Sequence, residues 1–317
     1  MLVTGGHGFI GRHVVAALAD AGATPVSTFH PDRSQLPDLP GSTMSVDLEE
    51  PRQAFDAVTK VDMVVHLAAR AGGIQFQEGA DTSVFNANRR ITDNVVAACL
   101  RSGVTRLFVA SSSVIYQPSD EPITETMPIL RPADHPDPYA WSKITDEAAA
   151  RSHQSLHSVV GRFGNVYGPG ASFEPDRSTV VHGLIDRAAR AGQDEDLVVW
   201  GDGSAIRSFV YVEDAARAVL IALEKGRRGQ AYNIDSGVGI TIADLARHVR
   251  DVVNPSLSLR FEAAKPAGIP FRVGSIAKLA TMGYAPAFRL DDGLRQTLAW
   301  YRASIYSSGV EDPGAPG

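Results

Sequence analysis

The stretch MLVTGGHGFIGR, residues 1–12, decides how the rest of the chain is read. Met1–Thr4 is a short apolar run of strand character. Gly5, Gly6, Gly8 and Gly11 follow at the spacing of a tight turn that opens a helix over Arg12–Ala21. In such an arrangement Gly5 permits the turn, Gly8 lets a pyrophosphate approach the backbone, and Gly11 allows close packing of helix on strand. The helix N-terminus then presents N–H groups and the positive end of its dipole to the phosphates. Glycine spacing alone also occurs in ordinary turns. Between a strand and a helix it points to a dinucleotide site, with Gly5, Gly8, Phe9, Ile10 and Gly11 at the phosphates.

Working outward, Thr24–Phe29 reads as a second short strand despite Pro25. A carboxylate at its end would accept both hydroxyls of the adenosine ribose and favour NAD. Here the end runs Phe29, His30, Pro31, Asp32, Arg33. His30 and Arg33 suit a 2′-phosphate, and an ordinary polar loop would look the same, so the cofactor is read as NAD(P). Pro37–Ser42 is turn-rich and Met44–Val46 extended, with Asp47 and Leu48 placed to bound the adenine pocket. Val61–Leu67 is a near-continuous apolar run, as in a strand covered on both faces. Leu67, Ala68 and Ala69 at its end suit contact with a cofactor. His66 sits inside that run, which favours a hydrogen-bonded core histidine over a catalytic one.

Asn86–Ser102 has helical spacing, with Val95, Val96, Ala98 and Cys99 on one apolar face. Thr105–Ser112 is a further strand tipped by Ser111, Ser112 and Ser113. Asp134–Pro138 is turn-rich, and Tyr139–Arg151 (YAWSKITDEAAAR) reads as a helix. Tyr139 and Lys143, four residues apart, share a face. An ammonium beside a phenol favours the phenolate and pulls its pKa down. A serine from the preceding strand tip can hold a substrate oxygen while the tyrosine exchanges its proton. Each feature is common by chance, but in this order a serine of the strand tip, Tyr139 and Lys143 make a candidate proton-exchange site beside the dinucleotide.

Composition is consistent with that site and excludes others. The chain has 317 residues, 44% hydrophobic and 21% charged, enough for a large core in one domain or two intimately packed ones. A net charge of −6 offers no footprint for nucleic acid. A single cysteine, Cys99, allows no intrachain disulfide and no multi-cysteine metal site, and it lies in a core-like run. No secretory leader and no membrane span are read, so a cytoplasmic protein is expected.

In the second half, GRFGNVYGPG places Asn165 and Tyr167 at a glycine-rich strand end suited to substrate recognition. Arg177 faces either a substrate anion or solvent. Val180–Ala191 is amphipathic, Leu197–Trp200 extended, and Arg207 stands just before an apolar strand through Val212. Arg207 is the preferred ligand of a diphosphate, because a guanidinium can hold two phosphate oxygens at once. Arg272, in a loop-like setting, is a second anion ligand. Helices are read over Asp214–Leu223, Ile242–Val252 and Leu290–Tyr301, a strand over Ala231–Ile234, and a frayed tail over Ser307–Gly317. The fold expected is a Rossmann-type doubly wound parallel sheet with a smaller C-terminal α/β substrate-binding region. The division runs 1–168, 169–306 with some segments returning to the first domain, and a 307–317 tail.

Taken together, TGGHGFIG, HLAA (66–69), SSSVIY (111–116), YAWSK (139–143), NVYGP (165–169) and RSFVYVED (207–214) make the chain similar to the extended short-chain dehydrogenase/reductase family. The likeness is to the branch acting on nucleotide sugars and runs through TLAWY (297–301). AARAGGI (68–74), and WGDG paired with RSF, resemble GDP-fucose synthases and GDP-mannose 3,5-epimerases. The resemblance implies that Ser112 orients the sugar oxygen, Tyr139 is the acid/base, and Lys143 binds the nicotinamide ribose. It also implies that Ser113, Asn165, Arg177, Arg207 and Arg272 face a nucleotide-diphosphate sugar. A homodimer through Asn86–Arg101 and Tyr139–Arg151 is a further implication.

The departures from that pattern narrow the chemistry. Dehydratases of the branch carry an Asp-Glu pair where this chain has Ser113 and Val114, and valine cannot move a proton. The two resembled groups use a cysteine at the position of Val114, and the synthases a histidine at that of Thr179. What remains is hydride chemistry at one carbinol or ketone: a 4-epimerase first, an NADPH-dependent 4-keto-6-deoxysugar reductase second. A catalytically silent dinucleotide sensor is the non-enzyme alternative.

Overall fold

The structure, a computed structural model, describes residues 1–33, 36–71, 82–131, 137–174, 177–192, 195–265 and 268–307. The short strand after Met1 is β1 (Leu2–Thr4), followed through the glycine turn by α1 (Phe9–Asp20). The helix begins three residues before Arg12, because Gly8 already serves as its N-cap in an extended conformation. Its buried residues Gly11, Val14, Val15 and Leu18 fall at the i, i+3, i+4, i+7 spacing of one inward stripe. Burying each valine or leucine is worth roughly 1.5–3 kcal/mol.

Next come β2 (Val26–Phe29), β3 (Ser42–Ser45), α2 (Pro51–Val58) and β4 (Met63–His66). Helix α2, started by Pro51 at its first position, was not expected from the sequence. The chain continues with α3 (Thr82–Ser102), β5 (Arg106–Ser112), a 3₁₀ turn (Ser113–Ile115), α4 (Pro138–Arg151) and β6 (His157–Phe163). Helix α3 starts four residues earlier than its apolar spacing indicated. Strands β10 (Ala231–Ile234), β6, β5, β4, β1, β2 and β3 lie side by side in that order, all parallel.

Such a sheet must be covered on both faces. One face packs α1 and α6 (Val212–Lys225) around Val14, Val15, Phe108 and Val219. The other packs α2, α3 and α4 around Ala54, Val95, Cys99 and Ala150. Cys99 is fully buried there, a core residue, and burial pushes its thiol up to about 12. The order of strands reverses between β1 and β4, so the turn after β1 and the end of β4 border one crevice.

The remaining elements form the smaller α/β region. They are β7 (Asn165–Tyr167), α5 (Val180–Arg190), β8 (Asp196–Trp200), β9 (Ile206–Tyr211), β11 (Gly239–Thr241) and α7 (Ile242–Val253). After them come β12 (Ser258–Glu262), β13 (Phe271–Arg272), α8 (Ala277–Ala280) and α9 (Leu290–Ser307). Strand β9 pairs with β7, β11 and β13, and β8 pairs with β12. Their core gathers Leu184, Leu197, Phe209, Leu245, Leu294, Leu298 and Tyr301. A single residue, Gly164, separates β6 of the large sheet from β7.

Three expectations are corrected in this half. Arg207 is the second residue of β9 rather than a residue before it, and Arg272 ends the short strand β13 rather than lying in a loop. The last helix runs on to Ser307, six residues past Tyr301. The stretch 72–74 of the AARAGGI motif, most of the turn expected at 134–138, and the tail at 308–317 lie outside the described residues.

Candidate active site

The glycine turn is built for close approach. Gly5 has φ +66°, and a Cβ there would stand 2.9 Å from the Cα of Ala68, at the end of β4. A Cβ on Gly11 would stand 2.2 Å from the Gly5 carbonyl oxygen. Gly8 N donates to that oxygen at 2.8 Å, and no side chain caps α1. The first N–H groups of the helix thus open onto a cradle of bare backbone, which fits a dinucleotide pyrophosphate. Gly5 N donates to Thr28 Oγ1 of β2 at 3.2 Å, and Ala68 N to Thr4 Oγ1 at 3.3 Å. These bonds fix the turn against both neighbouring strands. Beyond the turn, His13 Nε2 meets the Pro169 carbonyl at 2.9 Å, tying α1 to the loop after β7.

At the end of β2, Phe29 packs edge-on against His7, with ring centroids 5.3 Å apart. Burial and then the positive charges of Arg33 and Arg12 depress the His7 pKa. His30 lies 3.4 Å from Asp32 and 4.0 Å from Asp47, which accepts from the Glu49 N–H at 2.9 Å. Arg177 is largely exposed, 4.0 Å from Glu174, and its charge bears on Arg33. The sequence leaves it to a substrate anion or to solvent; it is largely exposed, with its charge near this basic end of the crevice.

On the other side of β4, Asn88 of α3 grips the backbone of Arg70, accepting from its N–H at 2.7 Å and donating to its carbonyl at 3.0 Å. Its amide also donates to Ser142 Oγ at 3.2 Å. The loop bearing Ala68 and Ala69 is thereby held to α4. Nothing in the apolar spacing of α3 marked Asn88; a polar residue on the buried stripe was the available signal. His66 is a buried core residue bonded to Thr4 Oγ1 at 2.7 Å and to Thr92 Oγ1 at 3.2 Å. Burial, with Lys143 nearby, pushes its pKa down to about 3.

Helix α4 starts at Pro138 on an Asp137 cap, whose Oδ1 accepts from Tyr139 N at 2.9 Å and Ala140 N at 3.2 Å. The cap puts Tyr139 in the first turn, where its phenol comes close enough to Ser112, at the tip of β5, for the serine to favour the phenolate. Ser112 Oγ also accepts from Val114 N at 3.3 Å, which holds the serine at the 3₁₀ turn. Lys143 Nζ lies 5.9 Å from the Tyr139 ring centroid and donates to the Ala110 carbonyl at 3.2 Å and to Asp146 Oδ2 at 3.0 Å. The three expected residues are thus brought together.

Their electrostatics differ from the expectation. Burial raises the Tyr139 pKa and prevails over Lys143 and Ser112, which both pull it down. Burial works against the charge on Lys143, but Asp146, Tyr139 and Glu147 outweigh it and its pKa is raised. Asp146 itself was overlooked in the sequence, although its i+3 spacing from Lys143 marks a shared face.

Across the crevice, Arg207 and Arg272 are register partners on adjacent parallel strands and so point to the same face. Arg207 Nη1 donates to the Ile206 carbonyl at 2.8 Å, and Nη2 reaches the Ile269 carbonyl. Arg272 Nε is buried with no hydrogen-bond partner. Burial, then the like charge of Arg207, pushes Arg272 down to about 10, with Asp137 opposing. Two half-buried like charges side by side suit an anion. Asn165 Nδ2 donates to the Ser208 carbonyl at 2.9 Å, and Ser113 is buried beneath the 3₁₀ turn. Among the described residues no group of three His, Cys, Asp or Glu could hold a metal, and no helix is long and apolar enough to cross a membrane.

With this geometry in place, comparison with known proteins is informative. Residues 1–235 match the model of the NAD dependent epimerase/dehydratase family. GDP-L-fucose synthase 1 of Arabidopsis thaliana is 31% identical over 314 residues, covering 96% of this chain and 94% of the relative. The dTDP-4-dehydro-6-deoxy-D-allose reductase of Streptomyces bikiniensis is 31% identical over 316 residues, covering 95% and 96%. Among solved structures, the UDP-glucose 4-epimerase of Thermotoga maritima with UDP-glucose superposes with a TM-score of 0.84 at 25% identity, covering 96% of this chain and 99% of that one. The glycine cradle, the Ser112–Tyr139–Lys143 cluster and these likenesses agree: the chain is an enzyme of the NAD(P)-dependent nucleotide-sugar epimerase/dehydratase family.

Proposed function

We propose that this enzyme moves a hydride reversibly at C4 of a nucleotide-diphosphate sugar, acting as a 4-epimerase. The observation that carries the reading is that the Tyr139 phenol comes within the influence of Ser112 with Lys143 5.9 Å from its ring, beside the crevice bordered by the glycine cradle. NAD(P), when bound, supplies the carbon that accepts and returns the hydride. Tyr139 Oη takes the proton of the C4 hydroxyl while Ser112 Oγ holds the same oxygen; in the return step the proton goes back. Burial keeps water away from that exchange. For net inversion the 4-keto sugar turns over and is reduced on its other face. Val114 offers no proton-transfer group for C3 or C5, and Arg207 and Arg272 are the ligands we assign to the diphosphate. The same reading takes residues 1–168, with later returns, as the cofactor domain and 169–306 as the main substrate region. It places the enzyme in the cytoplasm as a homodimer through α3 and α4, which gel filtration checks.

A second reading, NADPH-dependent reduction of a 4-keto-6-deoxy nucleotide sugar, is favoured by one observation. The end of β2 carries Phe29 and no ribose-binding carboxylate, and the charges of Arg12 and Arg33 converge on His7. The likeness to the Streptomyces bikiniensis reductase points the same way. A panel of nucleotide sugars, assayed with purified enzyme, separates the two. Epimer formation without added cofactor supports the first, and stoichiometric loss of NADPH with a 4-keto-6-deoxy member overturns it in favour of the second. Tyr139→Phe is expected to lower turnover about 10²–10⁴-fold while cofactor binding persists. Wild-type turnover in that variant would remove Tyr139 from its role.

A further inference from the structure

Lys143 has a partner inside the chain. Asp146 stands one turn further along α4, and its Oδ2 accepts from Nζ at 3.0 Å. Both side chains are buried, 5% exposed for Lys143 and 2% for Asp146. Among the described residues Asp146 is the one carboxylate within ion-pair distance of Nζ. Its second oxygen, Oδ1, is buried with no hydrogen-bond partner, and besides Lys143 the Thr92 hydroxyl of α3 also favours the charged carboxylate. A buried unpaired carboxylate is costly, and so is a buried unpaired ammonium. Burial raises the Asp146 pKa and works against the charge on Lys143, and in each case the partner's charge pulls the other way.

The surroundings supply no equivalent. From α3, Asp93 adds to burial in raising the Asp146 pKa and does not serve Lys143. From β4, His66 is kept neutral. From β5, Ala110 offers Nζ a carbonyl and Ser112 faces Tyr139. On α4 itself, Glu147 adds a favourable field but is bound to Arg162 at 2.8 Å and Arg151 at 2.9 Å, and Asp137 is occupied at the cap.

We propose that Asp146 is a positioning residue: it keeps Lys143 protonated and fixed in place, and through Lys143 sets the pH range in which Tyr139 exchanges its proton. The proposal rests on the reading of Tyr139 and Lys143 as the acid/base couple. Asp146 has two opposed effects on the tyrosine. Its own negative charge disfavours the phenolate, while its hold on Lys143 maintains the positive charge that favours it. Coulomb energy falls with distance. Tyr139 and Asp146 are two helical turns apart, about 10 Å along the axis, whereas the carboxylate touches Nζ. The indirect effect prevails.

The first test needs no ligand. The Lys143 Nζ signal is followed by ¹⁵N NMR of selectively labelled ligand-free enzyme and assigned by its loss in Lys143→Arg. In Asp146→Asn, which keeps the shape and an acceptor but not the charge, Nζ should lose its proton at lower pH than in the wild type. The pH profile of kcat/KM for sugar oxidation, with the panel member turned over fastest, should move its acid limb to higher pH. Activity then falls about tenfold or more near neutrality and about twofold or less on the alkaline plateau. Asp146→Glu should restore most of the neutral activity. If Asp146→Asn does not fold, Asp146→Ser carries the same measurements. An unchanged Nζ titration, or a loss of activity equal at every pH, overturns the proposal. Wild-type turnover by Tyr139→Phe would instead overturn the reading beneath it, so the two failures are distinguishable.

Discussion

Two cationic sites, a buried lysine in the large domain and a half-buried arginine pair in the small one, solve the same physical problem in opposite ways. Lys143 is neutralised from within by Asp146 at 3.0 Å. Arg207 and Arg272 instead sit beside each other as like charges, with Arg272 Nε lacking any hydrogen-bond partner. The first site is complete before anything binds. The second keeps two like charges adjacent, which suits the diphosphate we assign to it. On that reading the difference separates a group that must hold its state through every turnover from groups that take up a charge and let it go.

The largest expected effect tests the completed side by acid. His66, next to Lys143, has its pKa depressed from 6.5 to about 3 by burial. The unfolded chain therefore binds a proton that the folded one refuses. Stability is intact above about pH 6.5 and falls by roughly 1.4 kcal/mol per unit below it, close to 5 kcal/mol by pH 3. Chemical unfolding at stepped pH measures this, and His66→Gln should flatten the slope.

Asp146→Ala comes next, leaving a buried ammonium alone. A loss of about 3–5 kcal/mol in unfolding free energy is expected. Arg272→Met should do the reverse to the free enzyme, leaving stability equal or higher because a like-charge contact disappears. It should weaken binding of UDP, a probe of the diphosphate, by about 2 kcal/mol or roughly 30-fold in calorimetry. If both variants lost stability alike, the contrast between the two sites would collapse. The smallest effect is at the basic end of β2. Arg33→Ala should lower the preference for NADPH over NADH about tenfold, read as a ratio of dissociation constants at fixed salt.

The division between the two sides also governs what could be read from the amino-acid order. The glycine turn, the serine-tipped strand and the Tyr139–Lys143 pair are local patterns, fixed by spacings of a few residues, and the structure assembles them as read. Three starts or ends of helices were missed by several residues, since Gly8 caps α1 with backbone alone and no side chain announces it. Asn88 and Asp146 were missed for another reason. Each is a polar residue on the buried side of its helix, and its partner is either backbone from a distant loop or a charge whose burial is known only after folding. The pKa of Tyr139 was misjudged in the same way: proximity to Lys143 is legible, whereas the depth of burial that outweighs it is not.

Gly164 has a mechanical consequence. It is the whole connection between β6 and β7, its N–H donates to the Ile234 carbonyl at 3.0 Å, and a Cβ on it would stand 2.4 Å from Asp235 Oδ2. That carboxylate also accepts from Ser208 Oγ at 2.8 Å and from Gly274 N at 3.1 Å. A link of one residue, bonded to β10 and packed against Asp235, leaves little slack between the end of β6 and the start of β7. At this point the strand of one sheet feeds directly into the strand of the other, and Asp235 ties both to the loop after β13.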